Sequence, residues 1–236
     1  QSLKSTIGDV ASIPKQRYER YMPYIGTGLQ FDNRTIHMEA DIKMNLYNWQ
    51  LEEHSINRKK TEFSPDARFY LKYSVSATSD LSLNYRYSEL LQDLRQVYDG
   101  DLFTSYRTIV NNSHSPEADG THSLTLRYQY SQPIKGIFFM LSALGSTTHR
   151  HSAYVTTLQP ESGILVRTKK DADYNSEMYL VNGRFSKSFG WWKSLLGLYG
   201  SYMKSFDAQF SGTELQDYDM DNYSAGISFS ARPLSW

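Results

Sequence analysis

The chain has 236 residues, 25 lysines and arginines against 25 aspartates and glutamates, and no cysteine. A zero charge balance gives no field to gather nucleic acid or an anionic membrane surface. The missing cysteines exclude a disulfide framework, a thiolate metal site and a cysteine nucleophile.

Mean hydropathy is −0.57, and no apolar run approaches the ~18 residues of a transmembrane helix. A membrane β-barrel has the same property, because only alternate strand residues meet lipid. The opening QSLKSTIGDVAS lacks a basic and an apolar region, so a signal peptide is expected to be absent or removed. Residues 1–21 are polar, contain Pro14, and read as a loop or an irregular strand. MPYIGTGLQF (22–31) is a weak strand with two glycines, closed by Asp32 and Asn33.

The clearest pattern lies in 35–49, TIHMEADIKMNLYNW. Ile36, Met38, Ala40, Ile42, Met44 and Leu46 are apolar at consecutive even positions, and His37, Glu39, Asp41, Lys43 and Asn45 separate them. Strand side chains alternate faces, so this is a strand with one oily and one ionic face. Ten steps of ~3.3 Å, tilted ~40°, cover roughly 25 Å, the height of an outer-membrane apolar band. Strands of soluble sheets are usually ~5–6 residues long. Near Tyr47 and Trp49 the apolar phase switches, which suggests a bulge or an aromatic rim. Residues 50–64 read as a charged loop.

The alternation returns in ARFYLKYSVSA (67–77) and, after a tight Ser79–Asp80 turn, in LSLNYRY (81–87), predicting a hairpin. A long loop follows from Ser88 to Gly120, whose ELLQDLRQVY has helix-like spacing. LTLRYQY sets Leu124, Leu126, Tyr128 and Tyr130 against Thr125, Arg127 and Gln129, and Pro133–Gly136 turn into IFFMLSALG. Residues 147–175 are a long insertion whose SAYVTTL and GILVRT segments read as a small hairpin beyond the main sheet. EMYLVNGRFSK and LLGLYGSYMKSF are strands about the turn SFGWWK. The acidic loop TELQDYDMDN then leads to NYSAGISFSAR, where Ile227 and Phe229 alternate with serines.

These are nine main strands. Connections near 32–34, 78–80, 132–136 and 188–193 are short, and those at 50–64, 88–120, 147–175 and 207–221 are long. Strict short–long alternation puts every long loop at one end, as in bacterial outer-membrane barrels. The expected fold is all-β: an antiparallel up-and-down transmembrane β-barrel, present as about nine strands of a larger one. Single-chain bacterial barrels have an even number of strands, so residues 1–236 are expected to form one segment of such a barrel, without a plug. Ile36, Met38, Ala40, Ile42, Met44, Leu46, Leu124, Leu126, Tyr128, Ile227 and Phe229 are expected to face lipid. His37, Glu39, Asp41, Lys43 and Arg127 are expected to face the lumen. Nineteen tyrosines and four tryptophans suit a boundary between lipid and water.

The long alternating strands 35–49, 67–77, 121–130 and 223–232, with turn segments YSQPIKGI, SKSFGWWKS and SARPLSW, resemble the barrel of TonB-dependent receptors, particularly of the Bacteroidota type. The resemblance covers nearly the whole chain and is one of style, so it carries over no functional residue by position. It implies a 22-stranded barrel filled by an N-terminal plug and energised uptake of a scarce nutrient through an inner-membrane TonB complex. The sequence is expected to depart from that family's complete pattern by lacking a signal peptide, a plug and a TonB-contacting segment.

Candidate sites are sparse. THRHS places His149 and His151 two apart, but no third ligand is visible, so they read as solvated loop histidines and no metal is expected. Asp217, Asp219 and Asp221 begin like a calcium loop, yet Asn222 and Ser228 stand where glycine and an acid belong, which favours a plain acidic loop. No GxSxG, HExxH, P-loop or GxGxxG occurs, and neither a cofactor nor enzymatic activity is expected. In the 88–120 loop, Arg95, Tyr98, Asp99, Asp101, Tyr106 and Arg107 combine rings with charges suited to a small molecule, glycan or peptide. The function expected is nutrient uptake in a bacterial outer membrane, with the lipid bilayer, a plug, further strands and TonB as partners. A soluble or surface-exposed β binding domain and an outer-membrane barrel enzyme are the alternatives.

Overall fold

The computed structural model describes residues 16–53, 56–90, 101–111, 118–190, 194–212 and 214–231. Strands β1 (Gln16–Tyr21) and β2 (Tyr24–Asp32) pair with β3 (Ile36–Glu53) in one unbroken register, Tyr21 opposite Asn48 and Tyr24 opposite Asn45. They are one strand interrupted at Met22–Pro23. Proline has no N–H for the ladder, but its carbonyl still accepts from Leu46 N at 2.9 Å. From β3 the sheet runs antiparallel through β4 (Ile56–Ser76) and β5 (Ser79–Leu90). A side hairpin, β6 (Asp101–Ser105) and β7 (Thr108–Asn111), intervenes before β8 (Asp119–Gln132) rejoins β5. Strands β9 (Ile137–Gln159), β10 (Ile164–Phe189), β11 (Ser194–Ser211) and β12 (Glu214–Ser230) complete the wall in order.

Cross-strand partners share a face, so rows can be followed across all nine wall strands. One row reads Phe31, Met38, Leu71, Leu83, Leu126, Ala143, Val181, Tyr202, Tyr223, apolar or aromatic throughout. The next reads Asp32, His37, Lys72, Ser82, Arg127, Ser142, Asn182, Ser201, Ser224, polar throughout. The residues expected to meet lipid all lie on the first face, and those expected to meet the lumen all lie on the second.

Among the described residues, the apolar face covers nothing within the chain. Ile42 is 59% exposed, Ile227 76% and Phe229 64%, while the buried apolar residues among those described are only Ala153, Val155 and Ala208. A β-sandwich of this size would bury its oily rows against each other. Among the described residues, β2 and β12 each pair on one side only, and both are exposed along their length except at Gly226.

Turns at the short end have local causes. Asn33 Oδ1 accepts from Thr35 N (2.8 Å) and Ile36 N (2.7 Å), fixing the β2–β3 reversal. The β4–β5 turn falls on Ala77–Thr78, with Ser79 and Asp80 already in β5. A 3-10 turn at Pro133–Lys135 ends on Gly136 at φ 60, where a side chain would be strained.

The other end differs from expectation. Segments 50–64, 147–175 and 207–221 are mostly prolonged strands rather than loops. β3 pairs with β4 without a shift from Ile36–Tyr73 to Glu53–Ile56, so the phase switch near Tyr47 involves no bulge in that pair. SAYVTTL and GILVRT do pair, but as continuations of β9 and β10 to the turn at 160–163. β10 has 26 residues, which at ~3.3 Å each cover roughly 85 Å, far beyond an apolar band. Towards that end the alternation of apolar and polar residues vanishes while backbone pairing continues. Of ELLQDLRQVY, Glu89 and Leu90 end β5, and residues 91–98 lie outside the described residues.

Above Glu177 the β9–β10 hairpin changes neighbours. β10 leaves β11 and takes β7 in parallel at 165–168, while β11 meets β9 at Phe210–Val155. A bulge marks the transition: Ser152 pairs with Asp171 and Arg150 with Tyr174, leaving Ala172 and Asp173 opposite His151.

Candidate functional site

Above the apolar band, which ends near Tyr179 on β10 and Tyr223 on β12, the polar face gathers a cluster from five strands. β8 contributes Asp119, β9 Arg150 and Tyr154, β10 Tyr174, Arg167 and Lys169, β11 Asp207, and β12 Tyr218. They surround a cavity of about 180 Å³. The register explains the convergence, since Arg150 pairs with Tyr174 and Asp207 with Tyr218.

Arg150 Nη1 lies 3.8 Å from Asp119 Oδ2, and the Tyr218 hydroxyl donates to Asp207 Oδ2 at 3.3 Å. The Arg167 guanidinium sits 4.6 Å from the centre of the Tyr154 ring, a cation–π contact. Burial first, then the Asp207 charge, pushes the Tyr174 phenol up to about 12, against a smaller opposing pull from Arg150. The same two causes raise Tyr218. Both phenols are therefore donors at neutral pH. Among the described residues, Asp119 Oδ1 and Arg150 Nε are buried without a hydrogen-bond partner. Such orphans cost about 1–3 kcal/mol each unless something satisfies them. With three cations, two carboxylates and phenol donors, the cavity suits a small anionic or strongly polar group. At 180 Å³ it takes one group of a solute and falls short of the ~300 Å³ typical of a whole-ligand pocket.

Of the residues expected to contact ligand, Arg95, Tyr98 and Asp99 lie outside the described residues, and Asp101 opens β6. Tyr106 and Arg107 form the β6–β7 turn, with Tyr106 84% exposed and the Arg107 guanidinium 5.2 Å from its ring centre. The Arg107 carbonyl accepts from Leu165 N at 2.8 Å, which ties this hairpin to β10. The hairpin and the cavity thus share a strand, but these side chains do not line the cavity. Asp217, Asp219 and Asp221 lie on strand β12 rather than in a loop, and Lys204 Nζ stands 3.4 Å from Asp219 and 3.9 Å from Asp221. An extended backbone holding carboxylates two apart does not wrap them around calcium.

His149 and His151 are also on a strand, β9, and β10 brings Asp173 to them. That third group was invisible in the sequence because it lies 22 residues away and arrives through the cross-strand register of β9 and β10. The Arg150 cavity was missed for a similar reason. Its members are isolated polar residues in strands, and their only local signal was the loss of clean alternation past the apolar band.

No family model and no curated protein matches the sequence. Solved structures do. The copper transporter OprC aligns at a TM-score of 0.59 and 10% identity over 91% of this chain and 40% of its own. The siderophore receptor PirA from Pseudomonas aeruginosa aligns at 0.44 and 8% identity over 92% of this chain and 51% of its own. The chain thus spans 40% and 51% of the length of these two proteins. The likeness to OprC is one of fold: the open, antiparallel up-and-down sheet is part of a larger β-barrel.

Proposed function

We propose that this chain forms part of the wall of an outer-membrane uptake barrel of the TonB-dependent receptor type, with its apolar face in lipid and its polar face towards the lumen. The observation that carries the reading is the pair of adjacent rows, one oily from Phe31 to Tyr223 and exposed at both ends, the other polar from Asp32 to Ser224. A water-soluble protein has no use for an uncovered apolar face nine strands wide, whereas a bilayer requires one. The bare ladders of β2 and β12 pair, in this reading, with further strands of the same polypeptide, since open edges do not persist in a membrane. The polar face then surrounds a plug, and TonB energises release. The turns around Pro133 and the SKSFGWWKS segment support the finer likeness to the Bacteroidota type.

The nutrient's polar group is received by the Arg150–Asp119 cavity, and the β6–β7 turn with Tyr106 and Arg107 helps capture at the surface. The mention of copper in the name of OprC fits uptake of a scarce nutrient as a class. Catalysis is no part of this reading.

The absence of cysteine allows a direct test by single-cysteine labelling in outer-membrane vesicles. Leu83→Cys, Ala143→Cys and Val181→Cys should react only with a lipid-soluble maleimide. Ser82→Cys, Ser142→Cys and Asn182→Cys should react with a small water-soluble one. Uniform labelling of both sets by the water-soluble reagent would mean that the chain does not line a bilayer.

A further inference from the structure

We propose that His149, His151 and Asp173 form a binding site for a borderline divalent transition-metal ion of the Zn²⁺ or Cu²⁺ class. The site rests on the register of the β9–β10 pair. Asp173 continues the alternation of Asn175, Glu177 and Tyr179 and stands opposite His151 at the bulge, as Asn175 stands opposite His149, so it shares the face of the two histidines. The candidate ligand atoms of the three residues then all lie within 4.8 Å of one another.

The surrounding contacts resemble a poised coordination shell. His149 Nδ1 is 3.0 Å from Asn175 Oδ1, an interaction that fixes the ring and leaves Nε2 for an ion. His151 Nδ1 is 2.9 Å from Asp173 Oδ1, and the two rings meet edge to face with centres 4.6 Å apart. A bound ion takes the place of the proton between His151 and Asp173, and two nitrogens with one carboxylate oxygen leave a fourth position for water or a solute group.

A second observation points the same way. The concavity beside the cluster is lined by Glu62, Glu89, Asp171 and Asp173 together with His151, with no lysine or arginine among its described residues. Its lining thus offers carboxylate oxygens beside an imidazole, and the imidazoles select a transition ion over calcium or magnesium. Because the ligands come from two strands at the point where the hairpin exchanges neighbours, an ion here also fastens β9 to β10. The proposal stands on that pairing and is independent of the uptake reading.

The test uses the full chain in detergent micelles, stripped with EDTA and titrated calorimetrically with ZnCl₂ and CuCl₂, with CaCl₂ and MgCl₂ as comparisons. One transition ion should bind per chain, and neither alkaline-earth ion should compete. H149Q, H151Q and D173N should each weaken binding by roughly tenfold or more. H122Q, which alters a histidine held by Tyr85 on another strand pair, should bind like the parent. Cobalt(II) added to the unsubstituted chain should give the visible absorption of a nitrogen-ligated, low-coordinate ion, a readout that needs no variant to fold. The proposal is overturned if the unsubstituted chain shows no saturable zinc or copper binding. It is also overturned if H149Q and H151Q bind as well as the parent, or if H122Q loses as much as they do.

Discussion

Arginine placed at Ile42 and at Asp41, neighbours in sequence on opposite faces of β3, distinguishes a membrane wall from a water-exposed sheet. Ile42 is 59% exposed, lies within the apolar stretch 36–46, and has Thr27 and Ala67 as strand partners, so no carboxylate stands directly across from it. An arginine there, near the bilayer midplane, should destabilise by ~2–4 kcal/mol. Asp41 faces Gly28 and Arg68, so arginine there loses an opposite charge and gains a like one directly across the ladder. Cross-strand charge pairs are worth about 0.2–1 kcal/mol, so the cost should stay near 1 kcal/mol. The gap of at least ~1 kcal/mol is a factor of five or more in the folded-to-unfolded ratio. Urea unfolding of the intact barrel in lipid vesicles, followed by tryptophan fluorescence, resolves such a difference. Equal costs at the two positions, or a larger cost at Asp41, would refute the assignment of faces.

Further tests address the turns and the polar cavity. Gly136→Ala should destabilise by about 1–3 kcal/mol in the same unfolding assay, because φ is +60 and the added Cβ would lie 2.8 Å from the Ser188 carbonyl oxygen. Tyr174→Phe should remove one late-ionising phenol from a titration followed at the tyrosinate absorption band, and Asp207→Asn should return that phenol towards its ordinary value of 10. Since the folded state holds the Tyr174 proton up to about 12, its contribution to stability is intact below pH 10 and declines as pH rises through 10–12, most visibly against Tyr174→Phe. Arg150→Met should weaken solute binding while leaving Asp119 buried without its cation. Full uptake by that variant in a growth assay on the limiting nutrient would remove the cavity from the proposal.

The residue pattern alone determined the nine wall strands and their two faces. It could do so because an apolar row on one face and a polar row on the other give each wall strand a period of two. Where that asymmetry stops, the sequence loses its voice. Segments 50–64 and 207–221 look like charged loops because, with water on both faces, backbone hydrogen bonds hold the ladder and leave side chains unconstrained. Only the tertiary structure decided that β9 and β10 continue as one hairpin, that its strands exchange neighbours above Glu177, and that their register brings Asp173 to His149 and His151. The convergence of Asp119, Arg150, Tyr174 and Asp207 was equally hidden, because cross-strand register brings together residues far apart in the chain without leaving any local motif.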